Sequence, residues 1–173
     1  MPTGPQNTYP YAVPTADNWM DRDNASERQW TRLRARPAGQ DDPLPRLQAF
    51  RADGVRAGSE LARQNGRVPR VVRYLLTHEQ EAAAQFEALE LVCQARHWLV
   101  RDELCVDPVG PAPLEDRESL SAALGLLSAG FADGLVTATY EHISPDLGEY
   151  EQFLKEMAAR GWFVALALPE TGR

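Results

Sequence analysis

Residues 68–76 read VPRVVRYLL, a short apolar stretch with three valines, and this pattern is typical of a buried β-strand. Residues 77–97 follow at once. Their apolar side chains Phe86, Leu89 and Cys93 recur at the three-to-four-residue spacing of one helix face. We therefore predict a strand followed by a helix, which is the repeating unit of an α/β fold.

The same alternation of strand and helix continues along the rest of the chain. Further strands are predicted at residues 98–106, 133–140 and 162–168, and further helices at residues 116–129 and 145–160. Strands that are joined through helices run parallel, because each crossover returns to the same end of the sheet. We predict an α/β fold: a three-layer sandwich in which helices cover both faces of a mostly parallel sheet of about four strands.

The first 66 residues lack this regularity and are predicted to form a separate tail. Eight of the 13 prolines fall in residues 1–69, and residues 1–14 show neither a helical nor a strand period. Such a segment buries too little apolar surface to offset its ordering entropy, so we predict disorder there. Short helices are predicted at residues 26–36 and 44–64, the second weakened by Gly54 and Gly58. The α/β domain is accordingly expected to span residues 67–173.

The net charge argues against nucleic acid as the main partner of the regular region. The chain has 25 acidic and 18 basic side chains, a formal charge of −7, and residues 70–173 alone carry −9. Binding to nucleic acid draws much of its affinity from cations placed on phosphates. No apolar run approaches the roughly 20 residues of a transmembrane helix, and residues 1–18 lack the basic start and apolar stretch of a secretory signal. We expect a cytoplasmic protein without membrane contact.

The carboxyl ends of the strands are where a parallel sheet of this kind places its ligand site. Here that edge comprises residues 76–80, 107–117 and 140–146. The segment after the first strand contains no glycine, which removes the main support for a nucleotide cofactor. The three histidines are too scattered for a metal site, and Cys93 and Cys105 are more typical of small core residues than of nucleophiles. We predict no cofactor, no metal and no small-molecule substrate.

Several segments of the regular region share their order and spacing with one known family. Residues 73–80 (RYLLTHEQ) take the place of a first strand with the signature Arg-Val-Ser-Thr-x-x-Gln, in which Thr77 and Gln80 match. Gln85 falls where that family has a second glutamine, and Arg117 precedes the next helix as it does there. Residues 140–147 (YEHISPDL) take the place of the motif Leu-Asp-Arg-Leu-Ser-Arg-Asp-Leu. Residues 72–168 thus resemble the N-terminal catalytic domain of the serine recombinases, the resolvase/invertase family.

The resemblance also implies which catalytic positions have changed. The family's nucleophilic serine falls on Leu76, and the arginine two residues before it falls on Tyr74. In the second motif the aspartate becomes Glu141, and the two arginines become His142 and Pro145. Phosphoryl transfer needs a nucleophile and fixed cations for the phosphate oxygens. We therefore expect a catalytically inactive relative of enzymes that recombine DNA.

The family positions that persist supply no nucleophile. They are Gln80, Gln85 and Arg117. Thr77 carries a hydroxyl, but a shift of one residue along a strand turns its side chain to the opposite side. The sequence stops at Arg173, so we expect no counterpart of the long C-terminal helix and DNA-binding module into which family members continue. The resemblance favours a domain that binds a protein partner as an interaction or regulatory module.

Two other functions stay open from the sequence. A DNA-associated accessory protein of recombination would make weak nucleic-acid contacts through a basic N-terminal segment that comprises Arg28, Trp30, Arg32, Arg34 and Arg36. An enzyme of different chemistry would use Arg117, Glu141 and His142 at the carboxyl edge of the sheet, where an acid/base pair is conceivable. The sequence does not reveal the partner or the oligomeric state.

Overall fold

The computed structural model describes residues 42–110 and 112–171, without the side chains of residues 79 and 80. These residues form one compact unit. The disorder predicted for residues 1–14 and the helix predicted for residues 26–36 lie outside the described residues, as does the basic N-terminal segment.

Helices and strands alternate along the described part of the chain. In chain order they are α1 Pro43–Gln64, β1 Arg70–Leu76, α2 Glu79–Ala95, β2 Leu99–Asp107, α3 Glu118–Ser128, β3 Gly134–Thr137, α4 Leu147–Ala159 and β4 Phe163–Leu166. Short 3-10 turns at Leu114–Asp116 and Tyr140–His142 precede α3 and follow β3. Each strand and helix predicted after residue 67 is present, with bounds shifted by no more than three residues, so the predicted α/β fold is confirmed.

The four strands form one parallel sheet in the order β2-β1-β3-β4. Leu76 at the end of β1 pairs with Asp107 at the end of β2, and Thr137 at the end of β3 pairs with Leu166 on β4. The chain passes from β1 to β2 on one side and then to β3 on the other side of β1. The strand order therefore reverses at β1, and the carboxyl end of this strand is where an α/β sheet forms its crevice.

Helices cover the sheet on both faces, as the predicted three-layer arrangement requires. Val71 and Leu75 of β1 face a core that they share with α2, whereas Val72 and Tyr74 face the core under α3 and α4. Successive strand residues point to opposite faces, so a strand that is apolar on both sides must be covered twice. This is why residues 68–76 show an almost continuous apolar run.

Helix α1 packs against the sheet and is part of the folded unit, in contrast to the predicted tail that ends at residue 66. Leu47 and Val55 are buried, one in each core. At Gly58 a β-carbon would lie 2.6 Å from Cδ1 of Phe163, so the ring of this β4 residue occupies the space of the missing side chain. Gly58 lowers the helix propensity that the prediction relied on, but it allows the close contact that holds α1 on β4.

Candidate functional site

Most of the candidate site residues that the sequence analysis identified lie at the carboxyl edge of the sheet. Tyr74 and Leu76 lie at the end of β1, and Arg117 stands at the N-terminus of α3, after β2. Glu141 and His142 lie in the 3-10 turn that follows β3. Because all strands run parallel, these elements meet at one edge, and the contacts among them decide what the edge can do.

The last backbone N–H of β1 is held by an imidazole. The N–H of Leu76 donates a hydrogen bond to Nδ1 of His142 over 3.0 Å. Since Nδ1 accepts this bond, the ring proton of the neutral imidazole sits on Nε2. Burial lowers the pKa of His142 below its ordinary value, and the negative charge of Glu141 opposes this only in part. His142 therefore fixes the turn after β3 onto the end of β1 as a neutral acceptor.

This contact predicts a loss of stability in mild acid. A histidine with a lowered pKa binds its proton more readily in the unfolded chain, so the free energy of unfolding should fall as the pH drops below about 6.5, the ordinary value. The loss reaches up to about 1.4 kcal/mol for each pH unit until the folded pKa is passed. Urea unfolding between pH 5 and pH 8 measures it.

A His142→Asn variant is the matched control, because Oδ1 of asparagine can accept the bond from Leu76 but does not titrate. Its unfolding free energy should change less with pH in the same range. Since His78 and His97 are exposed and are unchanged in the variant, the difference between the two curves reports His142. Identical pH dependence in the two proteins would contradict this role.

Arg117 is buried and its guanidinium binds backbone carbonyls. Its side chain is 6% exposed. Nε donates to the carbonyl of Ala112 over 3.2 Å, and one terminal nitrogen donates to the carbonyls of His142 over 3.1 Å and of Ile143 over 2.7 Å. Arg117 thereby ties the loop before α3 to the turn after β3. Its charge is committed to the backbone of the two loops that frame the edge.

Tyr74 lies beneath this edge and is fully buried. Burial raises the pKa of its phenol to about 12, with Arg117 opposing the shift and Asp107 adding to it. Its hydroxyl has no hydrogen-bond partner among the described residues. Tyr74 is thus a neutral core residue that faces Arg117 and Asp107 from within the protein.

Asp107 has a structural role that the sequence analysis missed. Its two carboxylate oxygens accept hydrogen bonds from the backbone N–H groups of Ser119 and Leu120 over 2.9 and 3.0 Å. These donors belong to the first turn of α3, whose own N-cap position is occupied by Arg117 and makes no side-chain cap. An aspartate normally caps the helix that follows it directly. This one lies at the end of β2, and only its position at the end of a predicted strand could have drawn attention to it.

Thr77 and Gln85, two further positions that match the family, are in contact with each other. Nε2 of Gln85 donates a hydrogen bond to Oγ1 of Thr77 over 3.2 Å, and Thr77 is only 3% exposed. Oε1 of Gln85 is buried without a partner among the described residues. The hydroxyl of Thr77 is therefore turned into the protein. The side chain of Gln80 lies outside the described residues.

Glu141 and Pro145 lie in the segment after β3. Both residues are exposed, and Glu141 lines a cavity of about 420 Å³ together with Thr139, Tyr140 and Leu168. Neither Arg117 nor His142 lines that cavity. The structure brings Arg117 and His142 together through a hydrogen bond from the guanidinium to the backbone carbonyl of His142.

Comparison with known proteins finds no protein-family model and no curated protein that matches this chain. The solved structures that are similar to it include two catalytic domains. The C-terminal catalytic domain of ISC1926 TnpA, an IS607-like serine recombinase, has 15% identity and a TM-score of 0.48 over 56% of this chain and 68% of its own. The N-terminal catalytic domain of TP901-1 integrase has 12% identity and a TM-score of 0.48 over 57% of this chain and 76% of its own. Both are catalytic domains. These likenesses concern the path of the backbone, and the chemistry rests on this chain's own residues.

The part of the chain that the structure describes contains neither a group of metal ligands nor a membrane-spanning helix. Within residues 42–110 and 112–171, no three histidine, cysteine, aspartate or glutamate side chains are grouped so that they could hold a metal ion. No helix in the same ranges combines the length and the apolar character needed to cross a bilayer. Cys93 and Cys105 are buried, as predicted, and burial raises the pKa of Cys93 to about 11.

Proposed function

We propose that this chain is a serine-recombinase-like domain that does not cleave DNA and that acts as an interaction or regulatory module for a protein partner. The proposal rests on one observation above all, the position of Leu76. Its side chain is a hydrocarbon at the carboxyl end of the central strand, where the family resemblance places the nucleophilic serine, and its N–H is engaged by His142.

The electrostatics of the same edge also support a role other than phosphoryl transfer. Such a reaction needs cations that are free to face the phosphate oxygens. Arg117 makes three hydrogen bonds to backbone carbonyls, and the positions of three family arginines hold Tyr74, His142 and Pro145. Burial keeps His142 neutral at physiological pH. These residues therefore offer no strong positive charge to the oxygens of a bound phosphodiester.

The charge of the regular region favours a protein rather than a nucleic acid as partner. Residues 70–173 carry 17 acidic and 8 basic side chains. A field of this sign repels phosphates and attracts basic protein surfaces. This supports an interaction module whose partner is a protein.

The test is a cleavage assay on supercoiled plasmid DNA with the purified full chain. We expect neither nicked plasmid nor a covalent protein–DNA adduct on denaturing gels. An adduct formed by the wild-type protein would overturn the proposal. The Leu76→Ser variant places a hydroxyl at the family position, and Leu76→Ala is its control of similar size without the oxygen. An adduct that appears only with Leu76→Ser would support the descent from a recombinase.

A further inference from the structure

A groove between α3 and α4 lies on the opposite side of the sheet from α2. It encloses about 350 Å³, which is within the range of roughly 300–1,000 Å³ found for ligand pockets. Its lining combines apolar side chains from both helices with charged residues at its rim; these are Leu114, Glu115, Leu120, Leu124, Glu149, Gln152, Phe153, Glu156, Met157 and Arg160. Leu114 and Glu115 belong to the loop at the carboxyl edge of the sheet, but Leu76, Arg117 and His142 do not line the groove.

The floor of the groove is apolar. Leu120, Phe153 and Met157 belong to the core and are almost fully buried, whereas Leu114 and Leu124 are half-buried and pack against that core. An apolar side chain that enters the groove would extend the existing core and remove the exposed parts of these two leucines from water. Burial of this kind is the main source of affinity at protein interfaces.

The rim of the groove is acidic. Glu115, Glu149 and Glu156 are exposed, and none of them forms an ion pair with a described residue. Glu156 accepts a hydrogen bond from Gln152, which is neutral. The lone cation of the lining, Arg160, stacks over the ring of Trp162, with Cζ 5.2 Å from the ring centroid.

We propose that this groove binds a basic amphipathic segment of a protein partner. One large apolar side chain of the segment enters the groove, and flanking Lys or Arg side chains pair with Glu115, Glu149 and Glu156. The inference rests on the proposed function as an interaction module and names the surface and the chemistry of the partner. Three carboxylates around an apolar floor repel a nucleic-acid backbone, and a second copy of the acidic regular region would bring like charges together.

The experiment uses the full chain and a named probe. The probe is a labelled synthetic helical peptide with leucine and tryptophan on one face and lysines beside them, and the control peptide has glutamate in place of each lysine. Fluorescence anisotropy measures the Kd at low salt and at 0.15 M salt. We expect saturable binding of the lysine peptide, weakened by salt, and none of the glutamate peptide.

Two triple variants change the net charge by the same amount. They distinguish an effect of the groove residues on binding from an effect of net charge. The groove variant carries Glu115→Lys, Glu149→Lys and Glu156→Lys, all at exposed positions. The control variant carries Glu60→Lys, Glu81→Lys and Glu87→Lys on α1 and α2, which are also exposed. Glu149 and Glu81 each occupy the third position of their helix, so the effects of these two substitutions on helix stability are comparable. We expect the groove variant to raise the Kd at least tenfold and the control variant no more than about twofold.

A floor variant tests the apolar part of the site. Leu124→Gln removes apolar contact at a half-buried position and should weaken the lysine peptide several-fold, while thermal unfolding reports whether the fold persists. The groove assignment is overturned if both triple variants weaken binding equally, or if the lysine peptide does not saturate below about 1 mM. It is also overturned if the full chain self-associates and only the groove variant is monomeric.

The experiments can overturn the proposed function and the groove assignment independently of each other. A wild-type chain that forms a DNA adduct and still binds the peptide through the groove would overturn the proposed function and keep the groove. A chain that neither cleaves DNA nor distinguishes the two triple variants would overturn the groove alone.

Discussion

Replacing Arg51 by alanine should cost about 3–5 kcal/mol of unfolding free energy, the range expected when one partner of a buried ion pair is removed. Arg51 on α1 donates two hydrogen bonds to Glu170, from Nε over 2.7 Å and from a terminal nitrogen over 2.8 Å. The Glu170 side chain is fully buried and also accepts a bond from the hydroxyl of Tyr150 over 2.8 Å. Without Arg51, its negative charge would stay in the core with only a phenol as partner.

The lowered pKa of Glu170 supports this expected loss of stability. Burial alone would raise the pKa of Glu170. The hydrogen bonds and charge of Arg51, a backbone hydrogen bond and the bond from Tyr150 together outweigh burial and hold the pKa below its ordinary value. Burial also raises the pKa of Tyr150 well above its ordinary value, so this phenol remains a neutral donor. A lowered carboxyl pKa stabilises the fold above the ordinary value of Glu170 and ceases to do so as the pH falls through the folded value. Urea unfolding at pH 7 therefore measures the full loss.

Two controls separate the buried charge from other effects. Arg46→Ala on the same helix breaks a second two-pronged Arg–Glu pair, with Glu151, but Arg46 is 59% exposed and the loss should be far smaller. The combined variant Arg51→Met, Glu170→Met and Tyr150→Phe removes all three polar groups and should recover most of the stability lost in Arg51→Ala. Equal losses for Arg46→Ala and Arg51→Ala would contradict the buried pair.

Adding a methyl group at Gly58 should destabilise the protein by about 1–3 kcal/mol, whereas the same change at Gly54 should stabilise it by about 0.5–1 kcal/mol. Both glycines lie in α1, where alanine is the better helix former. A β-carbon at Gly54 meets nothing within 4 Å, but one at Gly58 would lie 2.6 Å from Cδ1 of Phe163. The sign of the effect therefore depends on packing alone.

The ring of Phe163 cannot easily move away from Gly58. On its other edge it approaches Gly134 of β3 so closely that a β-carbon there would lie 2.3 Å from Cε2. The ring also packs against Trp98, with centroids 5.1 Å apart. Gly134→Ala should therefore be at least as destabilising as Gly58→Ala. Thermal and urea unfolding of the three variants measure the series, and a stabilised Gly58→Ala protein would contradict the packing.

Much of the fold follows from patterns that are local in sequence. The apolar run at residues 68–76 and the helical spacing of Phe86, Leu89 and Cys93 are visible without tertiary information, and β1 and α2 form where they indicate. The sequence places residues 44–64 in the tail because prolines are concentrated in residues 1–69, and Gly54 and Gly58 weaken the helix predicted there. Neither composition nor helix propensity contains information about what packs on the helix. The contact with Phe163 joins residues that are about 100 positions apart.

In the candidate site, too, some features follow from residue identity and others depend on tertiary packing. The loss of a hydroxyl at Leu76 is a property of the residue itself and needs no structure. The sequence shows that Arg117 occupies a family position, but it does not show which groups the side chain contacts. It is compatible with binding to phosphate and with a place beside an acid/base pair. Its three bonds to carbonyls depend on how close two loops come.

The sequence by itself determined the α/β class, the order of strands and helices from residue 67 onward, and the hydrocarbon at position 76, because these depend on periodicity and residue identity. Only the tertiary structure decided that α1 joins the folded unit, that His142 accepts a bond from β1, and that Arg51 meets Glu170. It also decided that α3 and α4 leave an acidic groove between them. These features arise between segments distant in the chain, where burial and hydrogen-bond geometry depend on packing that no local pattern encodes.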